Sequence, residues 1–422
     1  MEPRSGGELF ADGFWDRPLD EVDSLRAQSK VYRSTLTSGV RVWVITGYAD
    51  AKRALTDPRL RKDARTIHAI IDGQQTRLGD MAQVAGILDT HMLFVDGLDH
   101  ARLRRIVGLE FTRARVEALR PRIEVLAASM LDALPVDEPV DLVSSLACPL
   151  MLAVICDLLG IPSGDRELLS EWTTALMEED VPRTVRATWA LSSYLNTLID
   201  HKRSEPGDDL LSVLIHPRDA GDCLSTEELL GTVFLLLTGF QASANLITTA
   251  VFRLLSHQGS WNRLRESPWL LPTAVEEILR FDTPMRMTTH RYTTEPVEYG
   301  GQPIPAGEIV LVWLHAANRD PDLVRCPDAA TLNLERSPNS HLSFGHGAHY
   351  CFGAPLSRVA ATVALGSMTR RYPKVRLLDV VARHAPSATM NGLLALPLVL
   401  GPVDLGQPRH GDLRRHTIEH TD

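Results

Sequence analysis

The chain has 422 residues, 44% of them hydrophobic, which supplies a large core and is long for one ordinary domain. Its formal net charge of −9 at pH 7 argues against nucleic acid as a partner, because such proteins concentrate positive charge. The five cysteines (Cys148, Cys156, Cys223, Cys326 and Cys351) have no regular spacing, so no disulfide framework is expected and a reducing, cytoplasmic setting fits.

Met1 to Pro18 is polar and acidic, without the basic and apolar regions of a signal peptide. No apolar run in the bare sequence reaches the ~18 residues that span a bilayer, so no membrane anchor is expected. Strand-like text is sparse: Val40 to Thr46, Val297 to Tyr299, Glu308 to Leu314 and Leu393 to Leu400. Most of the rest reads as helix. Tyr48 to Thr56 is short and amphipathic. His100 to Gly108, Arg113 to Leu134 and Leu142 to Leu159 follow. Pro162-Ser163-Gly164 punctuates the chain before helices near Arg166 to Glu179 and Arg183 to His201. Ser225 to His257 is the longest pattern, opened by a capping box of Ser225 and Glu228. It is apolar enough to be buried, and Thr238-Gly239-Phe240-Gln241-Ala242-Ser243 sets glycine and small polar residues into its middle. Glycine there costs ~1 kcal/mol relative to alanine, so the segment is either a close helix packing or a groove for a ligand. A last apolar helix runs from Ala354 to about Arg371. The expected fold is mainly α with small β-sheets. Residues 1–402 form one domain and the polar residues 403–422 a flexible tail.

Cys351 lies in the glycine-rich stretch Ser343-Phe344-Gly345-His346-Gly347-Ala348-His349-Tyr350-Cys351-Phe352-Gly353, immediately before that last helix. The glycines permit positive φ and a close approach of backbone to a flat partner. The helix aims its N-terminal N–H groups back at the sulfur, which stabilises a thiolate. A lone thiolate held this way suits an axial ligand to haem iron. The plainer reading is a small buried thiol. Zinc through His346, His349 and Cys351 is a third, weakened because zinc wants four tetrahedral ligands and no C-x-x-C pair is present.

The segment resembles the haem-binding loop of the cytochrome P450 family, F-G-x-G-x-H-x-C-x-G, which Phe344, Gly345, Gly347, His349, Cys351 and Gly353 match without a gap. The resemblance runs from roughly Val40 to Leu400 and implies the cytochrome P450 fold, with haem b on Cys351. It also implies that His100 and Arg104, four apart on one helix face, hold the haem propionates together with Arg291 and His349. Glu277 and Arg280, an E-x-x-R pair on one face, are then a brace beneath the loop, with Arg336 as a possible third member. Alone, such a pair is a surface salt bridge worth under ~1 kcal/mol.

The sequence departs from the family at the long helix, which usually carries A-G-x-[DE]-T to relay protons to dioxygen. Aligned on Gly239, Gln241 stands at the acid and Ala242 at the threonine. Thr238 replaces the alanine, and Ser243 follows. An amide does not titrate near neutral pH and alanine has no hydroxyl. Three explanations compete: the substrate supplies the relay, Thr238 or Ser243 supplies it from a neighbouring position, or the reaction does not end in oxygen insertion. The expected function is oxidative tailoring of a small organic molecule in bacterial natural-product biosynthesis, using O2 and electrons from a ferredoxin and its reductase. Hydroxylation or another oxygen insertion is slightly favoured over oxidative coupling or desaturation. A haem sensor or carrier is the alternative outside catalysis. Arg102, Arg105 and Arg358 form a candidate docking patch for the electron donor. Candidate pocket segments are Met81 to Leu93, Trp172 to Trp189, Phe240 and Gln241, Met285 to Thr289, and Met390 to Leu393.

Overall fold

A computed structural model describes residues 10, 13–16, 19–74, 91–176, 180–216, 223–324, 328–378 and 382–402; the tail expected at 403–422 lies outside them. Helices dominate, with three small sheets among the described residues. Five helices position the site: α1 (Gly97–Gly108), α2 (Cys148–Leu159), α3 (Thr226–Ser256), α4 (Leu271–Phe281) and α5 (Ala354–Arg371).

The capping box starts α3. Ser225 Oγ accepts from the Glu228 N–H at 3.2 Å, and Glu228 Oε2 accepts from the Ser225 N–H at 2.9 Å. At ~1.5 Å per residue, its 31 residues cross the molecule. By length and composition α3 could span a membrane, contrary to the reading of the bare sequence. However, 67% of its apolar window is buried inside the protein, which makes it the central core helix. It packs against α2, α4 and α5, and Leu237, Ile247, Met151 and Leu365 are almost fully buried there. Each such side chain contributes ~2 kcal/mol of transfer free energy. Pro355 opens α5, where its missing N–H costs nothing.

A five-stranded sheet flanks the helices. Its strands are β1 (Val31–Thr35), β2 (Arg41–Ile45), β3 (Leu60–Arg61), β4 (Arg291–Thr293) and β5 (Ile309–Val312), in the order β1-β2-β5-β4-β3. β2 runs parallel to β5, with Val44 opposite Leu311. β3 pairs antiparallel with β4, Leu60 facing Thr293 and Arg61 facing Tyr292.

Three predicted elements differ. Arg113 to Leu134 is two helices, Arg113–Ala118 and Arg120–Asp132, because Pro121 lacks an N–H and restarts the helix. Leu142 to Leu159 begins with a π-helical turn, Val143–Ala147, before α2. The strand read from Leu393 to Leu400 narrows to Pro397–Val399, with Pro397 at its first position, where proline is tolerated.

Candidate functional site

The loop before α5 is folded by two glycines in left-handed backbone, Gly345 at φ 74° and Gly347 at φ 75°. A Cβ on Gly347 would come within 2.8 Å of the Thr56 side chain and 3.3 Å of the Leu55 carbonyl, so this glycine lets the loop seat against its neighbour. The Cys351 N–H donates to the Phe344 carbonyl at 2.8 Å. Cys351 is exposed, and the space it faces is a cavity of about 520 Å³. Surrounding protein desolvates the thiol and raises its pKa. The N–H groups of Gly353 and Ala354 and the guanidinium of Arg104 pull the other way. These two N–H groups open α5, the helix expected to face the sulfur; a Cβ on Gly353 would make only an ordinary 3.7 Å contact with Sγ.

The base of the loop is tied to a buried ionic cluster. Arg280 Nε and Nη2 donate to the two Glu277 oxygens at 2.8 Å each, and both residues are fully buried. Arg336 Nε reaches the same carboxylate at 3.1 Å, so it is the third member of this cluster. Arg280 Nη1 donates to the Asn318 and Ala329 carbonyls. Asn318 then accepts from the Leu342 N–H at 2.7 Å and donates to Ser343 Oγ at 2.8 Å. The E-x-x-R pair is thus connected through Asn318 to the first residues of the cysteine loop.

His100, Arg104, Arg291 and His349 all line the same cavity as Cys351, Phe344 and Gly345. His100 is buried, with its ring 4.0 Å from that of His349. His349 Nε2 lies 3.4 Å from Asp96 Oδ1. Asp96 stands at the N-cap of α1 but does not cap it; its other oxygen accepts from the Lys62 N–H at 2.6 Å. Burial holds the His100 pKa near 4, with His349 and Arg104 adding to the effect. Arg104 donates to the Tyr350 carbonyl, and Arg291 Nη1 to that of Leu60 at 3.3 Å. His100 Nε2 and Arg291 Nε are buried without a partner among the described residues. Buried polar atoms are rarely left so without cause, and here both belong to residues of the cavity wall. Among the described residues no three His, Cys, Asp or Glu side chains converge into a metal cluster, so His346, His349 and Cys351 do not form one.

On α3, Thr238, Gly239, Phe240, Ala242 and Ser243 line the cavity and Gln241 does not. The Gln241 amide instead donates to Cys148 Sγ at 3.9 Å, beside the π-helical turn. Thr238 Oγ1 is bonded back to the Phe234 and Leu235 carbonyls at 3.0 and 3.3 Å. Ser243 Oγ pairs with Ser357 Oγ on α5 at 2.6 Å. Among the pocket segments, Met92, Leu93, Leu176, Met285, Thr289 and Met390 reach the cavity, whereas Trp189 is 54% exposed on the outside. Residues 75–90 and 177–179 lie outside the described set. Sequence reasoning missed Lys62, Ser387 and Thr389 on the wall. Lys62 is one of only five lysines, and that rarity was the one signal available. Of the expected docking residues, Arg102 pairs with Glu228, and Arg358 holds Glu276 at 2.6 and 2.9 Å while stacking over Phe344.

Comparison with known proteins agrees with this geometry. The family model "Cytochrome P450" matches residues 168–395. The chain is 39% identical over 401 residues to a vitamin D(3) 25-hydroxylase of Pseudonocardia autotrophica, covering 94% of this chain and 96% of that one. Among solved structures, the tirandamycin C-bound P450 monooxygenase TamI superimposes with a TM-score of 0.86 at 37% identity, covering 93% of this chain and 99% of its own. CxnD, a P450 for C–S bond formation in chuangxinmycin biosynthesis, superimposes with a TM-score of 0.85 at 32% identity, covering 95% and 98%.

Proposed function

Because this chain belongs to the cytochrome P450 family and is a P450 monooxygenase by kinship, we propose that it tailors a neutral, largely apolar natural product by oxidation. The proposal includes proton delivery that depends on the substrate. The residues present fit a haem: one thiol faces the cavity, backbone donors stand behind it, and cationic side chains with unmet buried donors line the wall. Cys351 would hold the iron, and His100, Arg104, Arg291 and His349 the propionates. When bound, a thiolate-ligated haem supplies dioxygen activation, with electron density pushed toward O–O cleavage.

The observation that carries the proton-delivery reading is the state of α3. None of its cavity-lining residues is acidic. Ala242 offers no hydroxyl, Gln241 is turned to Cys148, and the hydroxyls of Thr238 and Ser243 are already engaged. The protein therefore presents no acid and no unbonded hydroxyl on this stretch of α3, which supports a hydroxyl or amide of the substrate, with water, taking that part. The other walls offer methionine and leucine with the hydroxyls of Thr288, Thr389 and Ser387, a lining that suits an apolar molecule with a few polar groups. Hydroxylation is favoured because a close relative is named a hydroxylase. Oxidative coupling is the second reading, supported by the altered relay and by the likeness to the C–S bond-forming CxnD.

Ala242→Thr should change the ratio of product formed to reductant consumed, read by comparing oxidised nicotinamide with product. An unchanged ratio, combined with a loss of ~10²-fold or more in Ser243→Ala, the scale of a lost proton-transfer group, would assign the relay to Ser243 instead. Electrons are proposed to come from a separate ferredoxin and its reductase. Arg105→Glu should slow reduction at low salt if the electron donor docks on that face, and an unchanged stopped-flow rate would place docking elsewhere.

A further inference from the structure

Lys62 is buried in the cavity wall and has no part in the reading above. It follows β3 directly, and the β3–β4 register sets it beside Arg291. The residue is 3% exposed and lines the cavity. Among the described residues its ammonium makes one hydrogen bond, to Thr289 Oγ1 at 2.6 Å, lies 5.8 Å from the centre of the Phe94 ring, and makes no ion pair. Lysine is almost never buried so deeply without a partner for its charge.

The surroundings sharpen the demand. The described residues lining the cavity include Lys62, Arg104 and Arg291 and no aspartate or glutamate. Burial, and then the neighbouring Arg291, push the Lys62 pKa well below its usual value; Asp96 acts in the other direction but is already engaged by the Lys62 backbone N–H and by His349. The ammonium also opposes protonation of two buried neighbours, His91 and His290, each held near pKa 4 chiefly by burial. These cations share a contiguous wall with His100 and His349, while the rest of the lining is apolar or carries neutral hydroxyls. Carboxylates of a ligand bound here would meet these cations.

We infer that Lys62 is a further cationic partner of the haem propionates, beside Arg104 and Arg291; this rests on the haem reading of Cys351. A positive charge at the propionates tightens the cofactor and favours its reduced form. The test uses the full-length haem-loaded protein and its Lys62→Met and Lys62→Arg variants. Two quantities are read: the rate of haem transfer to excess apomyoglobin, and the ferric/ferrous midpoint potential by spectroelectrochemistry. Lys62→Met should speed transfer about tenfold, the scale of one lost hydrogen bond to a charged group, and move the potential negative. Lys62→Arg should restore both, which repair of a merely structural lysine would not do to the potential. If Lys62→Met fails to fold, Lys62→Gln carries the same measurements. A wild type with thiolate-ligated haem and a Lys62→Met variant unchanged in both readouts would overturn the inference and leave the family reading intact. The same unchanged readouts with loss of the spectral response to decanoate would overturn it too, by giving Lys62 to the substrate. A wild type that holds no haem would instead remove the premise at Cys351.

Discussion

Cys351→Ala should lower oxidative turnover by more than ~10³-fold, the scale on which removing a chemistry-bearing side chain acts, while leaving the chain folded. The fold survives because the loop is shaped by backbone: the Cys351 N–H to Phe344 bond and the left-handed Gly345 and Gly347 do not need the sulfur. The brace beneath the loop does not touch it either. Only the thiol that faces the cavity is lost, and with it the ligand that the Gly353 and Ala354 N–H groups serve. Turnover with matched circular dichroism checks this. Activity within tenfold of wild type would mean that the chemistry is carried elsewhere.

Glu277→Ala should be the most damaging single change to stability. The carboxylate is 0% exposed and is met by Arg280 at 0% and Arg336 at 8%, and it also accepts from the Asn333 N–H and the Asn339 amide. Its removal leaves the fully buried Arg280 guanidinium without a carboxylate, while Arg336 keeps Asp328 at 3.2 Å; an uncompensated buried charge costs ~3–5 kcal/mol against a total stability of roughly 5–15 kcal/mol. The neighbouring Glu276 provides the control. It is paired with Arg358 and His341, but its side chain is 29% exposed, so Glu276→Ala should cost ~1 kcal/mol or less. Urea midpoints of the two variants should separate widely. Equal losses would show that the triad contributes no more than a surface pair, and its role as a brace would fall.

The parts of the site that were legible in the sequence are those set by local spacing. The run from Phe344 to Gly353 keeps its ligand, its turns and its helix start within one short segment, and α5 occupies Ala354–Arg371 as read. The capping box placed the start of α3, and the i, i+4 and i, i+3 spacings put His100 with Arg104 and Glu277 with Arg280. The illegible parts depend on pairing across hundreds of residues. Lys62 reaches the wall only because β3 lies against β4, and Asn318 matters only because the chain returns it to Leu342 and Ser343. The side-chain directions on α3 were equally hidden. Gln241, Ala242 and Ser243 are consecutive, but one turns to Cys148, one faces the cavity and one crosses to Ser357. The membrane question shows the opposite limit, since the composition of α3 passes a test that its burial answers.

A Cys351 thiolate on haem iron would show in the absorption spectrum of the carbon monoxide adduct of the reduced, purified protein. The geometry expects a Soret band far to the red of a histidine-ligated haem, absent from Cys351→Ala. A histidine-type band in the wild type, or a folded wild-type protein that takes up no haem, would contradict it.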